Sequence, residues 1–172
     1  YTLNMGNSGT GARLLMGLVA GSDVEATVIG DKSLSKRPMK RITSPLKKTG
    51  AIIGNQTNNL PIKIKGNKIV LPIEYESPVS SAQVKSSILL AGLSSLGKTT
   101  VIEPSLSRDH TERMLNFFGA NITTCQLEDM SWEICVAGIP ELYALHLTIP
   151  PAASCASFTI FSAIINPNCK IK

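Results

Sequence analysis

The sequence predicts an α/β (α+β) fold built from a βαβαββ unit that occurs twice and begins a third time. Three observations carry this prediction. Short segments recur in the same order along the chain, each copy alternates amphipathic helical patterns with β-branched segments, and apolar residues make up 43% of the 172 residues. Charged residues make up 17%, so the composition is that of a chain that buries a core rather than that of a disordered one.

The repeat rests on four pairs of similar segments. In chain order, the pairs are 15–18 with 90–93, 27–29 with 100–102, 33–37 with 105–109, and 50–51 with 119–120. The offset between partners falls steadily from 75 to 69 residues, as expected of a duplicated unit and not of chance matches. We therefore interpret residues 1–78 as one unit, with a truncated leading strand, and residues 79–146 as the next.

Each copy predicts two helices. The first helix opens near Ser8 in one copy and near Ser81 in the other, where side-chain hydroxyls can cap free amides. The second helix is predicted at 38–48 and at 109–118, with Ser107 as the cap of the latter. A glycine follows the second helix in both copies and predicts its end.

Each copy also predicts three strands after its first helix. They are 24–29, 60–64 and 69–73 in the first copy, and 99–103, 122–127 and 132–136 in the second. A third copy is expected to begin with a strand at 145–149 and an apolar helix at 154–165. We interpret residues 147–172 as a segment that crosses into a second domain and supplies its first, truncated helix.

Composition and charge exclude several classes of function. The net charge of +5 suits small anionic ligands, whereas three Tyr, four Phe and one Trp are few for a base-stacking surface. No apolar run is long enough to span a bilayer, and no signal segment opens the chain, so we expect a cytoplasmic protein without membrane contact. The four cysteines show no C-x-x-C spacing, which predicts reduced thiols and no metal site.

Two glycine- and serine-rich helix starts, at 6–13 and 78–85, are candidate anion sites. Free amides and the helix dipole favour an anion at such a position; the alternative is an ordinary capping segment. Arg37 and Arg108 occupy equivalent places in the two copies, each just before a second helix. A guanidinium matches carboxylate and phosphate, although a single arginine is more often a solvated surface residue. The acidic residues and the histidine at 109–112 are interpreted as structural.

Four motifs resemble a known family. They are Asn-Ser-Gly-Thr at 7–10, Lys-Arg-Pro-Met at 36–39, Ser-Ala-Gln-Val-Lys at 81–85 and Arg-Asp-His-Thr-Glu at 108–112. In this order and spacing they resemble the 5-enolpyruvylshikimate-3-phosphate synthases, and the last two resemble the class II bacterial members. The resemblance covers nearly the whole chain.

The resemblance implies a fold and a reaction. The family has six βαβαββ units in two domains, an inside-out α/β barrel, and transfers the enolpyruvyl group of phosphoenolpyruvate to shikimate 3-phosphate in aromatic amino acid biosynthesis. It implies no metal, no cofactor, no nucleic acid and a monomeric parent protein. The present chain would be the second and third units of the N-terminal domain and would need the remaining domain as its partner.

Site residues follow from motif positions. The resemblance implies contacts with phosphoenolpyruvate from Asn7, Gly9, Arg37 and Gln83, and contacts with shikimate 3-phosphate from Ser81, Ala82, Gln83 and Arg108. The family's proton-transfer residues would lie outside this segment, so we expect no catalytic residue within it and no turnover by it alone. Glyphosate-tolerant class II members carry alanine where Gly9 stands, so the resemblance also implies a glyphosate-sensitive protein.

Two other functions compete with this one. UDP-N-acetylglucosamine enolpyruvyl transferases often carry a cysteine in the loop that matches 30–35, and this sequence has none there. A non-enzymatic RNA-binding βαβαββ module would need aromatic side chains beside a basic stripe, but Tyr1, Tyr75 and Tyr143 are scattered.

Overall fold

A computed structural model describes residues 1–54, 58–148, 161 and 165. Over residues 1–54 and 58–148 the chain forms two four-stranded sheets, four α-helices and one short 3₁₀ helix. Within the same residues, no helix has both the length and the apolar character needed to cross a membrane.

The first sheet has the strand order β1-β2-β4-β3. Its strands are β1 (Thr2–Asn4), β2 (Glu25–Ile29), β3 (Ile52–Gly54) and β4 (Ile62–Lys65). β1 and β2 are parallel and are joined by helix α1 (Gly9–Ala20), whereas β4 runs antiparallel to both of its neighbours. The 3₁₀ helix (Leu34–Lys36) and helix α2 (Lys40–Lys48) connect β2 to β3.

The second sheet repeats this arrangement in the order β5-β6-β8-β7. Its strands are β5 (Glu74–Glu76), β6 (Lys98–Glu103), β7 (Ile122–Gln126) and β8 (Trp132–Ala137). Helix α3 (Ala82–Gly92) joins the parallel pair β5 and β6, and helix α4 (His110–Phe117) joins β6 to β7. The duplication predicted from the sequence is therefore confirmed.

The core lies where the two copies meet. α1 packs on β2 and β4, α3 packs on β6 and β8, and the two helices pack against each other, so they lie between the sheets. Met16, Ile88 and Leu89 are fully buried there. The backbones approach closely because α1 carries Gly17, where a β-carbon would collide with the Ser87 carbonyl group.

The second helix of each copy ends in the predicted way. Gly50 and Gly119 follow α2 and α4 with φ values of +96° and +97°, a left-handed conformation that glycine adopts without steric cost. The predicted cap of α4 is wrong: Asp109 precedes the helix, and the Ser107 hydroxyl donates to Glu103 instead.

The predicted closing strands of the first copy are partly wrong. β4 does not pair with 69–73, where Val70 makes one isolated bridge to Ser95; it pairs with β3, which directly follows α2. The second copy matches the prediction, with β7 paired to β8. The repeat indicates where β3 lies. Gly119-Ala120 is followed by a predicted strand, so a strand is also expected after the equivalent Gly50-Ala51.

The division of the chain at residues 78/79 stays a prediction. β5 precedes that boundary but pairs with β6 in the second sheet, which favours a boundary between residues 65 and 74. Residues 145–148 form no strand. Of the predicted helix at 154–165, only residues 161 and 165 are described, and both are helical. The rest of that helix and most of the crossing segment 147–172 lie outside the described residues.

Candidate functional site

The starts of α1 and α3 lie side by side, and one hydrogen bond joins them. The Gln83 side-chain amide, in the first turn of α3, donates to the Thr10 hydroxyl in the first turn of α1 at 2.7 Å. Thr10 and Gln83 are 73 residues apart in sequence. The two candidate anion sites therefore form one continuous surface across the two copies.

A cavity of about 170 Å³ opens beside this hydrogen bond. Its wall is formed by Thr10 and Leu14 from α1, Ala82, Gln83 and Ser86 from α3, and Arg108, His110 and Thr111 from the start of α4. Three of the four residues predicted to contact shikimate 3-phosphate are thus together. The amides of the first turn of a helix have no intrahelical partners, so the start of α3 presents donors to this cavity.

A second cavity, of about 200 Å³, lies on the other side of Gln83. Its lining includes Ser81, Gln83, Arg13, Pro38 and Arg41. Ser81 and Ala82, which are neighbours in sequence, therefore line different cavities, and Gln83 lines both.

The group that Ser81 can offer to a ligand differs from the prediction. The sequence predicts free amides at this helix start, but the Ser81 amide donates to the Glu103 carboxylate at 2.9 Å. Its hydroxyl makes no capping bond, in contrast to Ser8, whose Oγ accepts from the Gly11 amide. The hydroxyl is what Ser81 can offer to a phosphate oxygen.

Arg37, Asn7 and Asp31 form a hydrogen-bonded chain at the start of α1. Arg37 donates to Asn7 Oδ1 at 3.1 Å, and Asn7 Nδ2 donates to Asp31 at 2.6 Å. The backbone amide of Leu34 donates to the other Asp31 oxygen at 2.7 Å. Asp31 thereby fixes the orientation of the Asn7 amide, which in turn holds the guanidinium.

Gly9 lies directly against two arginines. A β-carbon at Gly9 would be 2.8 Å from Arg13 Nη1 and 3.0 Å from Arg37 Nη1. Arg13 also donates to the Gly9 carbonyl oxygen at 3.1 Å and to that of Pro38 at 3.4 Å. Glycine at this position lets both guanidiniums approach the start of α1.

The site has a surplus of positive charge. Over residues 1–54 and 58–148, the salt bridges engage Lys63, Lys85 and Arg113, and none engages Arg13, Arg37 or Arg108. Burial, followed by the charges of Arg37 and Arg41, lowers the pKa of Arg13. Arginines that lie close together without salt bridges favour an anionic ligand.

Sequence reasoning missed Arg13 and Thr10 as site residues. Arg13 follows Gly9 by four residues on α1, a spacing that places both on one helix face. Thr10 belongs to the motif at 7–10, but nothing in the sequence indicated its contact with Gln83, which belongs to the other copy. No cluster of three or more potential metal ligands occurs in the part of the chain that the structure describes.

Asp31 predicts a pH dependence of stability. Hydrogen bonds from the Leu34 amide and then from Asn7 hold the Asp31 pKa below its ordinary value of 3.8. A carboxylate with a lowered pKa stabilises the folded state above its unfolded-state pKa, and this contribution disappears as the pH falls through the folded-state value. We expect Asp31→Asn to lower the melting temperature at neutral pH, and the deficit to shrink below about pH 4.

Thermal melts of both proteins from pH 7 to pH 2.5 test this expectation. Asp23→Asn, which removes an exposed carboxylate that takes no part in the Asn7–Arg37 chain, is the control. A deficit for Asp31→Asn that stays constant well below about pH 3 would contradict the assignment.

Duplicated βαβαββ units, whose helix starts and arginines line two adjoining cavities, place the chain among α/β proteins made of repeated units, and the amides and guanidiniums there have the chemistry of an anion site. The family model for EPSP synthase, 3-phosphoshikimate 1-carboxyvinyltransferase, matches residues 1–172. The chain belongs to this family, which confirms the resemblance found in the sequence.

Individual relatives agree with the family assignment. The chain is 49% identical over 166 residues to the 3-phosphoshikimate 1-carboxyvinyltransferase of Rhodospirillum rubrum, covering 96% of this chain and 37% of that protein. It is 49% identical over 173 residues to the protein of the same name from Parvibaculum lavamentivorans, covering 98% and 38%. A solved structure of EPSP synthase from Acinetobacter baumannii matches with a TM-score of 0.80 and 42% identity, over 95% of this chain and 36% of that one.

These matches confirm the predicted fold class. The chain spans a little over a third of the length of these relatives. The names of the relatives do not favour the UDP-N-acetylglucosamine enzyme or the RNA-binding module as alternatives.

Proposed function

We propose that this chain supplies part of the substrate site of an enzyme that transfers the enolpyruvyl group of phosphoenolpyruvate to shikimate 3-phosphate. The observation that carries the proposal is the hydrogen bond between Gln83 and Thr10. It joins the candidate phosphoenolpyruvate residues of the first copy to the candidate shikimate 3-phosphate residues of the second.

The chemistry of the two sets of candidate residues supports assigning phosphoenolpyruvate to the first copy and shikimate 3-phosphate to the second. Both substrates carry phosphate, and phosphoenolpyruvate carries a carboxylate as well. Arg37, held by Asn7 beside Gly9, offers a guanidinium to the smaller anion. Ala82 and Arg108 line the cavity at the start of α3, where helix amides and a guanidinium suit a phosphate monoester.

The proposal assigns binding, and not proton transfer, to these residues. The polar side chains that line the cavities are arginines, hydroxyls and an amide, together with His110 in the first cavity. The acid and base would come from other segments of the enzyme, and the same proposal includes a monomeric, cytoplasmic protein. Release of inorganic phosphate from both substrates by this chain alone would contradict it.

Isothermal titration with shikimate 3-phosphate tests the binding assignment. We expect Arg108→Ala to weaken binding roughly tenfold to a hundredfold, because charge-assisted hydrogen bonds to the phosphate are lost. Arg113→Ala is the matched control, since Arg113 is an exposed arginine of the same segment that pairs with Asp109. Equal affinities of Arg108→Ala and the unaltered chain would show that the phosphate binds elsewhere.

A further inference from the structure

Three ionisable side chains are buried together behind the start of α3. Lys85 and Glu103 are fully buried and Glu112 is 5% exposed. The Lys85 ammonium lies 2.6 Å from Glu112 and 3.3 Å from Glu103. The cluster joins α3, the end of β6 and the first turn of α4.

The fold itself does not require this buried cluster. The first residues of α1 and α3 are 73 residues apart, which replaces the offset of 75 between segments 15–18 and 90–93, and the same shift of 73 relates β2 to β6. The shift of 69 residues between the glycines after α2 and α4 relates these two helices. By these shifts, the first-copy residues equivalent to Lys85, Glu103 and Glu112 are, in that order, Ala12, Gly30 and Thr43. The same architecture is therefore built without charge in the first copy.

Glu103 contacts both sides of the candidate phosphate site. Its Oε1 accepts the Ser81 amide at 2.9 Å, and its Oε2 accepts the Ser107 amide at 3.3 Å. The Ser107 hydroxyl donates to both oxygens, at 3.0 and 2.8 Å. Ser81 precedes α3, and Ser107 is the residue before Arg108. One carboxylate thus ties the start of α3 to the segment that carries the arginine.

We propose that the Lys85–Glu103–Glu112 cluster is a positioning element for the phosphate end of the substrate, with Glu103 fixing Ser81 and the Arg108 segment relative to each other. The identity of the ligand rests on the proposed function above. Because Glu103 holds the Ser81 amide, the Ser81 hydroxyl and the following amide of Ala82 are left for the ligand. Lys85 offsets the negative charge that Glu103 would otherwise place behind an anion site.

The two glutamates offer a matched pair of variants. Glu103→Gln and Glu112→Gln each remove one carboxylate from the same lysine and leave a buried lysine–glutamate pair, so both proteins retain a compensated charge. In the described residues, Glu112 accepts no hydrogen bond from Ser81 or Ser107, whereas Glu103 accepts from both. A glutamine at 103 has one acceptor oxygen where the carboxylate has two, and its NH₂ group faces a donor.

Two NMR measurements test the proposal. In the ligand-free chain, we expect the Ser81 and Ser107 amides of Glu103→Gln to exchange with solvent about tenfold faster than in Glu112→Gln. In titrations with shikimate 3-phosphate, we expect the dissociation constant of Glu103→Gln to rise about tenfold over the unaltered chain, and that of Glu112→Gln to stay within about twofold. Urea unfolding of both variants measures the effect on stability separately.

The possible outcomes separate this inference from the proposed function. Equal effects of the two variants on exchange and affinity would reduce the cluster to a structural ion pair and overturn the inference. Unchanged Ser81 and Ser107 exchange in Glu103→Gln would overturn it as well. Failure of the unaltered chain to bind shikimate 3-phosphate, with the exchange difference present, would count against the proposed function and leave Glu103 as the residue that positions the loop.

Discussion

Replacing Lys85 with methionine is expected to lower the free energy of unfolding by about 3–5 kcal/mol. Methionine fills a similar volume, so the packing of α3 is retained while the ammonium is lost. Glu103 and Glu112 would then lie buried without a facing cation, and burying an uncompensated charge is among the costliest changes in a protein interior. Urea unfolding, followed by circular dichroism, measures the change.

Lys63→Met is the control for this prediction. Lys63 forms an ion pair with Glu25 at 2.7 Å, but its side chain is 62% exposed. Solvent-exposed pairs contribute about 1 kcal/mol or less, so this variant should unfold almost as the unaltered chain does. Similar small losses for both lysines would mean that the Lys85 cluster is not held together by charge.

Replacing Gly17 with alanine is expected to destabilise the fold by about 2 kcal/mol. The added methyl group would collide with the backbone carbonyl group of Ser87 on α3. Backbone atoms cannot rotate away, so α1 and α3 must separate and core contacts between the two copies are lost. Alanine is the better helix former by about 1 kcal/mol, which offsets part of the loss. Chemical denaturation of the variant gives the net value.

Gly54→Ala provides the comparison for Gly17→Ala. Gly54 lies in β3, where no heavy atom of the described residues comes within 4 Å of an added β-carbon. The substitution should be neutral or slightly stabilising, because alanine has fewer unfolded conformations than glycine. If Gly17→Ala were equally harmless, the close contact between α1 and α3 would not contribute to stability.

Much of the fold was predictable because the βαβαββ unit occurs twice in the sequence. The helix ends at Gly50 and Gly119 were predictable because the chain has a positive φ there, a conformation that glycine adopts without steric cost. The strand β4 was predicted, but its partner β3 was not predictable from composition, because 52–54 and 69–73 are both rich in β-branched apolar residues. Which strands pair depends on residues that are distant in sequence. Comparison with the second copy is what distinguishes 52–54 from 69–73.

The residue types of the candidate site could be predicted from the sequence, but the hydrogen bonds that join them to buried partners could not. The motifs place Arg37, Gln83 and Arg108 near helix starts. In the structure, Gln83 and Arg108 line the first cavity, whereas Arg37 lies beside Gly9. The bond between the Ser81 amide and Glu103 joins residues 22 apart, and no periodicity indicates it. Buried partners of this kind depend on how β6 and α3 pack, which a pattern of residue types does not encode.

The hydrogen bond between Gln83 and Thr10 makes this surface depend on both copies at once. One copy alone would supply one of the two helix starts and a single wall of each cavity. The two copies therefore cannot be separated without taking both cavities apart, and a change at Thr10 alters the surroundings of a residue of the other copy.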